Sequence, residues 1–251
     1  MNTVKKCHKF IPVLLALSPS LLWATSAQAS SSFNSGATLS YSINDITNLD
    51  NAGSLSGLAI TGSFELAGAP DYALTLSGDG TVAGNNPNTG PVAISPILLG
   101  TAFSHLFTIS GNAGNGTANT SQLGLFGLNF ENSGADNYSI SLTLNYQLNS
   151  SVSGQLADSS VALDYFNETS SFAGSDRIDA SVFSWENPEL IGSSGVFTFT
   201  LAPGAAEALY ADVNITGNLE ASPVPLPASF WLLFAGLSSI VSLGRRRRQS
   251  A

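Results

Sequence analysis

The side chains able to do chemistry in this chain are few, and carboxylates dominate them. Asp164 with Glu168, Asp176 with Asp179, and Glu186 with Glu189 lie close enough in sequence to share a site. A glycoside hydrolase needs two carboxyl groups about 5–9.5 Å apart, one of them acting as the acid. Nothing in these pairs separates an acid from a base, and acids spread along polar loops show the same spacing. His105 is the one histidine between residues 30 and 222, so any Ser-His-Asp arrangement there must use it. It shares a strand face with Phe103, Phe107 and Ile109, the setting of a histidine at the edge of a core. The chain has no G-x-S-x-G elbow and no H-E-x-x-H pattern. A protein that is not an enzyme is therefore expected.

Oxygen ligands are more plentiful. Asn44-Asp45 and Asn48-Leu49-Asp50-Asn51 lie along one stretch, with Asp176 and Asp179 further on. Calcium takes six to eight oxygens, and loops of secreted β-proteins supply them. Asp45, Asp50, Asp176 and Asp179 are thus candidate Ca2+ ligands, with turn formation by Asx residues as the alternative reading. No other cofactor is implied. Trp185, in Ser184-Trp185-Glu186-Asn187-Pro188, would stack on a sugar if exposed and join the core if buried; burial is the expectation. Arg177 has Asp176 and Asp179 as local ion-pair partners. Asn-x-Ser/Thr triplets begin at Asn115, Asn119, Asn137, Asn149, Asn167 and Asn214, as expected by chance in a region so rich in Asn, Ser and Thr.

The elements that must position these residues read as strands. From Tyr138 to Leu148 every even position is apolar and every odd one polar, and residues 209–219 alternate in the same way. Shorter runs repeat the pattern at Leu39-Tyr41-Ile43, Leu58 to Leu66 across Gly62, Tyr72-Leu74-Leu76 and Phe197-Phe199-Leu201. Period two with one wet face indicates antiparallel sheets. Gly62 within such a pattern suggests a bulge or bend. Ser77–Gly80, Asn85–Asn88, Gly111–Gly116 and Asn132–Asp136 supply turn residues. Eight to eleven short strands are expected in one all-β domain, an antiparallel two-sheet sandwich with a jelly-roll-like arrangement.

Both ends of the chain read as addresses. Lys5, Lys6 and Lys9 precede an apolar run from Phe10 to Trp23, and Ala27-Gln28-Ala29 offers a small-x-small cleavage site before Ser30. This is a signal peptide, helical in its apolar part and removed by signal peptidase. Cys7 precedes the apolar run, so no cysteine survives cleavage, which removes disulfides, thiol nucleophiles and thiolate metal sites from the mature protein. At the other end, Ala228 to Gly244 is 17 residues long and holds no charge. As a helix it spans about 25 Å, just short of a bilayer core of roughly 30 Å. Trp231, Leu232, Leu233 and Phe234 lie in this anchor, and Arg245, Arg246, Arg247 and Arg248 stop it on the cytoplasmic side. The domain organisation is then 1–29 signal peptide, 30–222 secreted domain and 223–251 sorting segment with a transmembrane helix.

All 17 acidic residues lie between residues 30 and 222, against Arg177 as the single base, so that region carries 1 − 17 = −16. A surface of this sign repels nucleic-acid backbones, so nucleic acid is excluded as a partner.

The motif Val224-Pro225-Leu226-Pro227-Ala228, followed by the apolar stretch and the arginines, resembles the C-terminal sorting signal of PEP-CTERM proteins, in the variant with Leu between the prolines. The resemblance is confined to the tail. It implies an inner-membrane precursor with its domain in the periplasm, processing by an exosortase-like transpeptidase, and delivery to the cell surface or extracellular space. It also links the protein by analogy to exopolysaccharide and biofilm in Gram-negative bacteria. A structural or associative role follows. A surface carbohydrate-binding module using loop carboxylates, calcium and Trp185 is the alternative.

Overall fold

Alternating apolar residues along most of residues 31–221 leave each strand one face to bury, and two sheets packed face to face bury both sets at once. The computed structural model describes residues 27–28, 30–66, 72–85, 89–184, 188–224 and 235–238. In chain order the strands are β1 (Ala27–Gln28), β2 (Ser31–Asn48), β3 (Leu58–Leu66), β4 (Tyr72–Gly78), β5 (Thr81–Gly84), β6 (Thr89–Ala93), β7 (Ala102–Ala113), β8 (Gly116–Asn132), β9 (Tyr138–Ser153), β10 (Leu156–Asn167), β11 (Ala173–Ser181), β12 (Glu189–Leu201), β13 (Ala206–Ala221) and β14 (Pro223–Val224). Within the unit Gln28–Pro223, one sheet has the order β12-β9-β2-β7-β5. The other has the order β11-β10-β13-β8-β3-β6, with β4 also paired to β8 beyond the end of β3. Their strand pairs are antiparallel. The fold is an antiparallel two-sheet sandwich, as the alternation predicts.

The sheets interlock through a file of rings. Tyr41 stacks on Phe126 at 5.2 Å, Phe126 on Phe103 at 5.1 Å, and Phe64 on His105 at 4.0 Å, with Phe103 and Phe64 6.0 Å apart. Tyr41, Phe103 and His105 come from the five-stranded sheet, while Phe126 and Phe64 come from the seven-stranded one, so rings from opposite sheets interdigitate. Stacked pairs contribute about 0.5–1.5 kcal/mol beyond area burial.

Small residues seat these rings. A side chain on Gly62 would meet the Phe103 ring at 2.3 Å, and Phe33 lies between Gly111 of one sheet and Gly217 of the other. The bend expected at Gly62 is present as a register shift between Gly62 and Phe64 against β6, and ring packing supplies the stronger reason for glycine there. The same packing corrects the expected turn at Gly111–Gly116. Strand β7 runs on to Ala113 and β8 begins at Gly116, so only Gly114 and Asn115 turn. The strands are also longer than expected, up to the 18 residues of β2.

Buried asparagines organise the loops at one end. Asn48 closes β2 by accepting the N–H groups of Asp50 and Asn51 and donating to Asp136. Asn132 ends β8, and Asn167 ends β10. Asn167 is 3 % exposed and fully engaged, so its Asn-x-Thr triplet is a structural device.

Of the terminal segments, residues 235–238 are α-helical, and no described helix is long and apolar enough to cross a membrane. The signal-peptide helix expected from sequence falls outside the described residues, as does the expected anchor helix apart from residues 235–238.

Candidate functional site

The sequence-derived candidates separate in the structure. Asp45 lies on β2 of the five-stranded sheet, where Thr47 donates to its Oδ2 at 2.8 Å. Asp50 follows β2 and accepts the Asn137 backbone N–H at 2.7 Å and side-chain amide at 2.8 Å, which hold its carboxyl below the usual range. Asp176 and Asp179 are on β11 of the other sheet. The Tyr146 hydroxyl donates to Asp176, and burial together with that bond pushes the hydroxyl's pKa up. Asp179 takes the Arg177 guanidinium at 2.6 Å in the ion pair expected from sequence. Among the described residues no three His, Cys, Asp or Glu side chains stand together as a metal site. His105 is one ring of the interlocking file, stacked on Phe64 and edge-on to Phe107, and burial lowers its pKa. Its Nε2 is buried and has no hydrogen-bond partner among the described residues.

Trp185, Glu186, Ala29, Pro225, Leu226, Pro227, Ala228, Trp231–Phe234 and Arg245–Arg248 lie outside the described residues. Ala27 is in β1, Ser30 is exposed, and Val224 is in β14. Strand β13 ends at Ala221, so only Ser222 and Pro223 separate the domain's last long strand from Val224.

The concentration of recognition chemistry is elsewhere, on the outer face of the seven-stranded sheet. Strands β10, β13, β8 and β3 are neighbours there, and their register sets side chains in rows. One row runs Phe166, Tyr210, Gly127, Ser63; the next runs Asp164, Asp212, Leu125, Glu65. Phe166 and Tyr210 are each 38 % exposed, with ring centroids 5.5 Å apart and planes inclined by 32°. Gly127 leaves a gap beside Tyr210, and an open trough of about 580 Å³ lies there, rimmed by Asn129, Glu168 and Glu207.

Asp164 and Asp212 face each other across β10 and β13, and like charges directly opposite are destabilising. Partial burial first, and the Asp164 charge second, hold the Asp212 carboxyl above its usual pKa. Asp164 thus has Asp212, rather than the sequence neighbour Glu168, as its cross-strand companion.

Sequence reasoning missed the aromatic pair because Tyr210 occupies a wet position in an otherwise regular alternation. The available signal was a large ring at such a position, and two adjacent rings, Tyr165 and Phe166, of which only one can face inward.

Comparison with protein-family models, with curated proteins and with solved structures gives no match in any of the three.

Proposed function

We propose that the chain is an exported protein of the bacterial surface or extracellular matrix, whose β-domain works by association and not by catalysis. The reading rests on one observation, the segregation of charge. Seven of the eight basic residues lie in the two terminal segments, and all 17 acids lie in the domain between them. Terminal positive charge is what export and membrane retention use, and self-repelling negative charge keeps the delivered domain soluble. Signal peptidase would act after Ala29. An exosortase-like transpeptidase would act at Val224–Ala228 while the tail is held in the inner membrane. The prolines suit such an enzyme because they keep the peptide extended. This reading includes a signal-peptide helix, a membrane helix and a jelly-roll-like winding of the domain.

Intact-mass measurement on protein released from producing cells tests it. The mature chain should lack both residues 1–29 and the arginine tail. Pro225→Ala with Pro227→Ala should leave a longer form in the inner membrane. A released chain that still ends beyond Arg248 would refute processing at the motif.

A further inference from the structure

We propose that the outer face of the seven-stranded sheet, where Tyr210 of the Phe166–Tyr210 pair borders the trough over Gly127, binds a polysaccharide carrying amino groups. The inference gives the associative reading a ligand class, but it does not depend on how the tail is processed.

Three features of the face select the ligand. The first is the ring pair. Aromatic rings held open to water on a rigid sheet offer apolar faces that match the C–H face of a pyranose, and their π-clouds attract a cation lying over them. The second is charge. Glu168 and Glu207 rim the trough and Asp164 and Asp212 lie in the adjoining row, while the domain's one base, Arg177, is committed to Asp179. An acidic polysaccharide would be repelled here, and a sugar ammonium would be drawn in. The third is the kind of hydrogen-bonding group available. Ser63, Asn129 and Thr169 line the trough with hydroxyl and amide groups, which suit sugar hydroxyls.

A basic peptide shares part of this chemistry, but the sheet does not favour it. Extended peptides take much of their affinity from main-chain pairing with a free strand edge. Here β10, β13 and β8 are interior strands, each paired on both sides. The face presents side chains and no open ladder. A polymer read through ring faces and hydroxyls fits that surface; a strand seeking a partner does not.

The Gly127 gap makes the site testable without disturbing the core. A Cβ at this position would first meet the Ser63 hydroxyl at 2.9 Å, a side chain free to turn away. Gly127→Val should therefore fill the trough on a folded protein.

The full chain in mild detergent is titrated with a glucosamine hexasaccharide in mildly acidic buffer at physiological salt. Parallel titrations use the N-acetylglucosamine hexasaccharide, an acidic uronate oligomer and a lysine hexapeptide. The glucosamine oligomer should bind best and the uronate not at all. Tyr210→Ala should weaken binding about tenfold, the scale of one well-placed cation–π contact. Gly127→Val should weaken it comparably, Glu168→Gln should weaken it less, and Tyr210→Phe should leave it nearly unchanged. Glu220→Gln, which removes a charge away from the trough, is the control for attraction to net charge alone. Melting temperatures establish that each variant folds. Equal binding by wild type, Tyr210→Ala and Gly127→Val would overturn the site, as would a Tyr210-dependent preference for the peptide or the uronate. Loss of sugar binding in a correctly processed chain would sink this proposal alone. A chain that binds the sugar but keeps its tail would sink the sorting reading alone.

Discussion

On the five-stranded sheet much of the solvent side is small hydroxyls and amides that satisfy one another, with Leu106, Ile191 and Val196 exposed singly among them. Ser32 meets Ser153 at 2.8 Å, Ser40 meets Ser104 at 2.7 Å, Ser141 meets Thr198 at 2.8 Å, and Asn44 donates to Thr143 at 2.8 Å. On the seven-stranded sheet the corresponding side carries an exposed ring pair and two carboxylates facing each other. Both faces come from the same alternation, and the seven-stranded one also has hydroxyl pairs such as Ser160 with Thr216, but among the described residues only it sets two half-exposed rings together beside facing acids. Cross-strand hydroxyl pairs add a few tenths of a kcal/mol each, and opposed acids remove a similar amount. Stability given up at a specific place, while its counterpart is stabilised, is the pattern expected of a recognition surface.

The most severe test of this two-sided account is Leu142→Asp. Leu142 is fully buried on the inner face of β9, so an unpaired carboxylate there should cost several kcal/mol against a typical total of about 5–15 and unfold the domain. Thr143→Asp, on the wet face, should leave the melting transition nearly in place. Equal damage from both substitutions would mean that β9 has no solvent face.

The contrast between the outer faces can be sharpened by two milder changes of opposite sign. Asp212→Asn should stabilise the protein by a few tenths of a kcal/mol, up to about 1 kcal/mol, at neutral pH, because it removes a half-buried charge that also faces Asp164. The folded carboxyl has a raised pKa, so its ionised form is the destabilising one. The gain from Asn should shrink as pH falls through that raised value and vanish below the ordinary value near 3.8. Ser40→Ala should instead destabilise by about 0.5 kcal/mol, through loss of its bond to Ser104. Urea unfolding at several pH values measures both; the same sign for both would erase the distinction.

His105 belongs to neither face, and its effect should be smaller because the ring is only partly buried. Its folded pKa lies below the ordinary value near 6.5, so the unfolded chain takes up a proton first as pH falls. Stability should therefore decline as pH drops through about 6.5 toward the folded value. His105→Phe should flatten that part of the profile.

Smallest of all should be the difference between calcium and sodium at matched ionic strength. Both screen the acidic face, whereas a bound calcium at a hundred times its Kd would add about 2.7 kcal/mol. Melting curves in the two salts should coincide.

How much of this was legible in the sequence depended on whether a residue's role follows from its own strand. The faces of β9 and β13 were readable because their period of two is unbroken from Tyr138 to Leu148 and from Leu209 to Ala211, Val213 and Ile215. Strand β8 was hard to see because Gly124 and Gly127 stand where the pattern calls for larger side chains, Gly124 to admit the Phe107 ring and Gly127 to leave the trough open. The candidate site was not legible. Phe166 and Tyr210, like Asp164 and Asp212, meet only through the register of β10 on β13, strands far apart in sequence. Buried Asn48, Asn132 and Asn167 looked like turn residues or glycosylation triplets because loop closure uses the same residue types.

On the proposed export reading, the division of labour between the faces can be tested on the extracellular matrix of producing cells. The one cysteine, Cys7, lies in the segment that the proposed signal-peptide cleavage removes, so a single introduced thiol would then be the only one in the processed chain. Ser63→Cys places it in the ring-pair row of the seven-stranded sheet, and Ser40→Cys places it among the hydroxyls of the five-stranded sheet. Maleimide labelling on intact matrix, before and after the polysaccharide is digested, is the measurement. Ser63→Cys should be shielded until the polysaccharide is removed, while Ser40→Cys should label equally in both states; equal labelling at both positions throughout, or shielding of Ser40→Cys alone, would overturn this division between the faces.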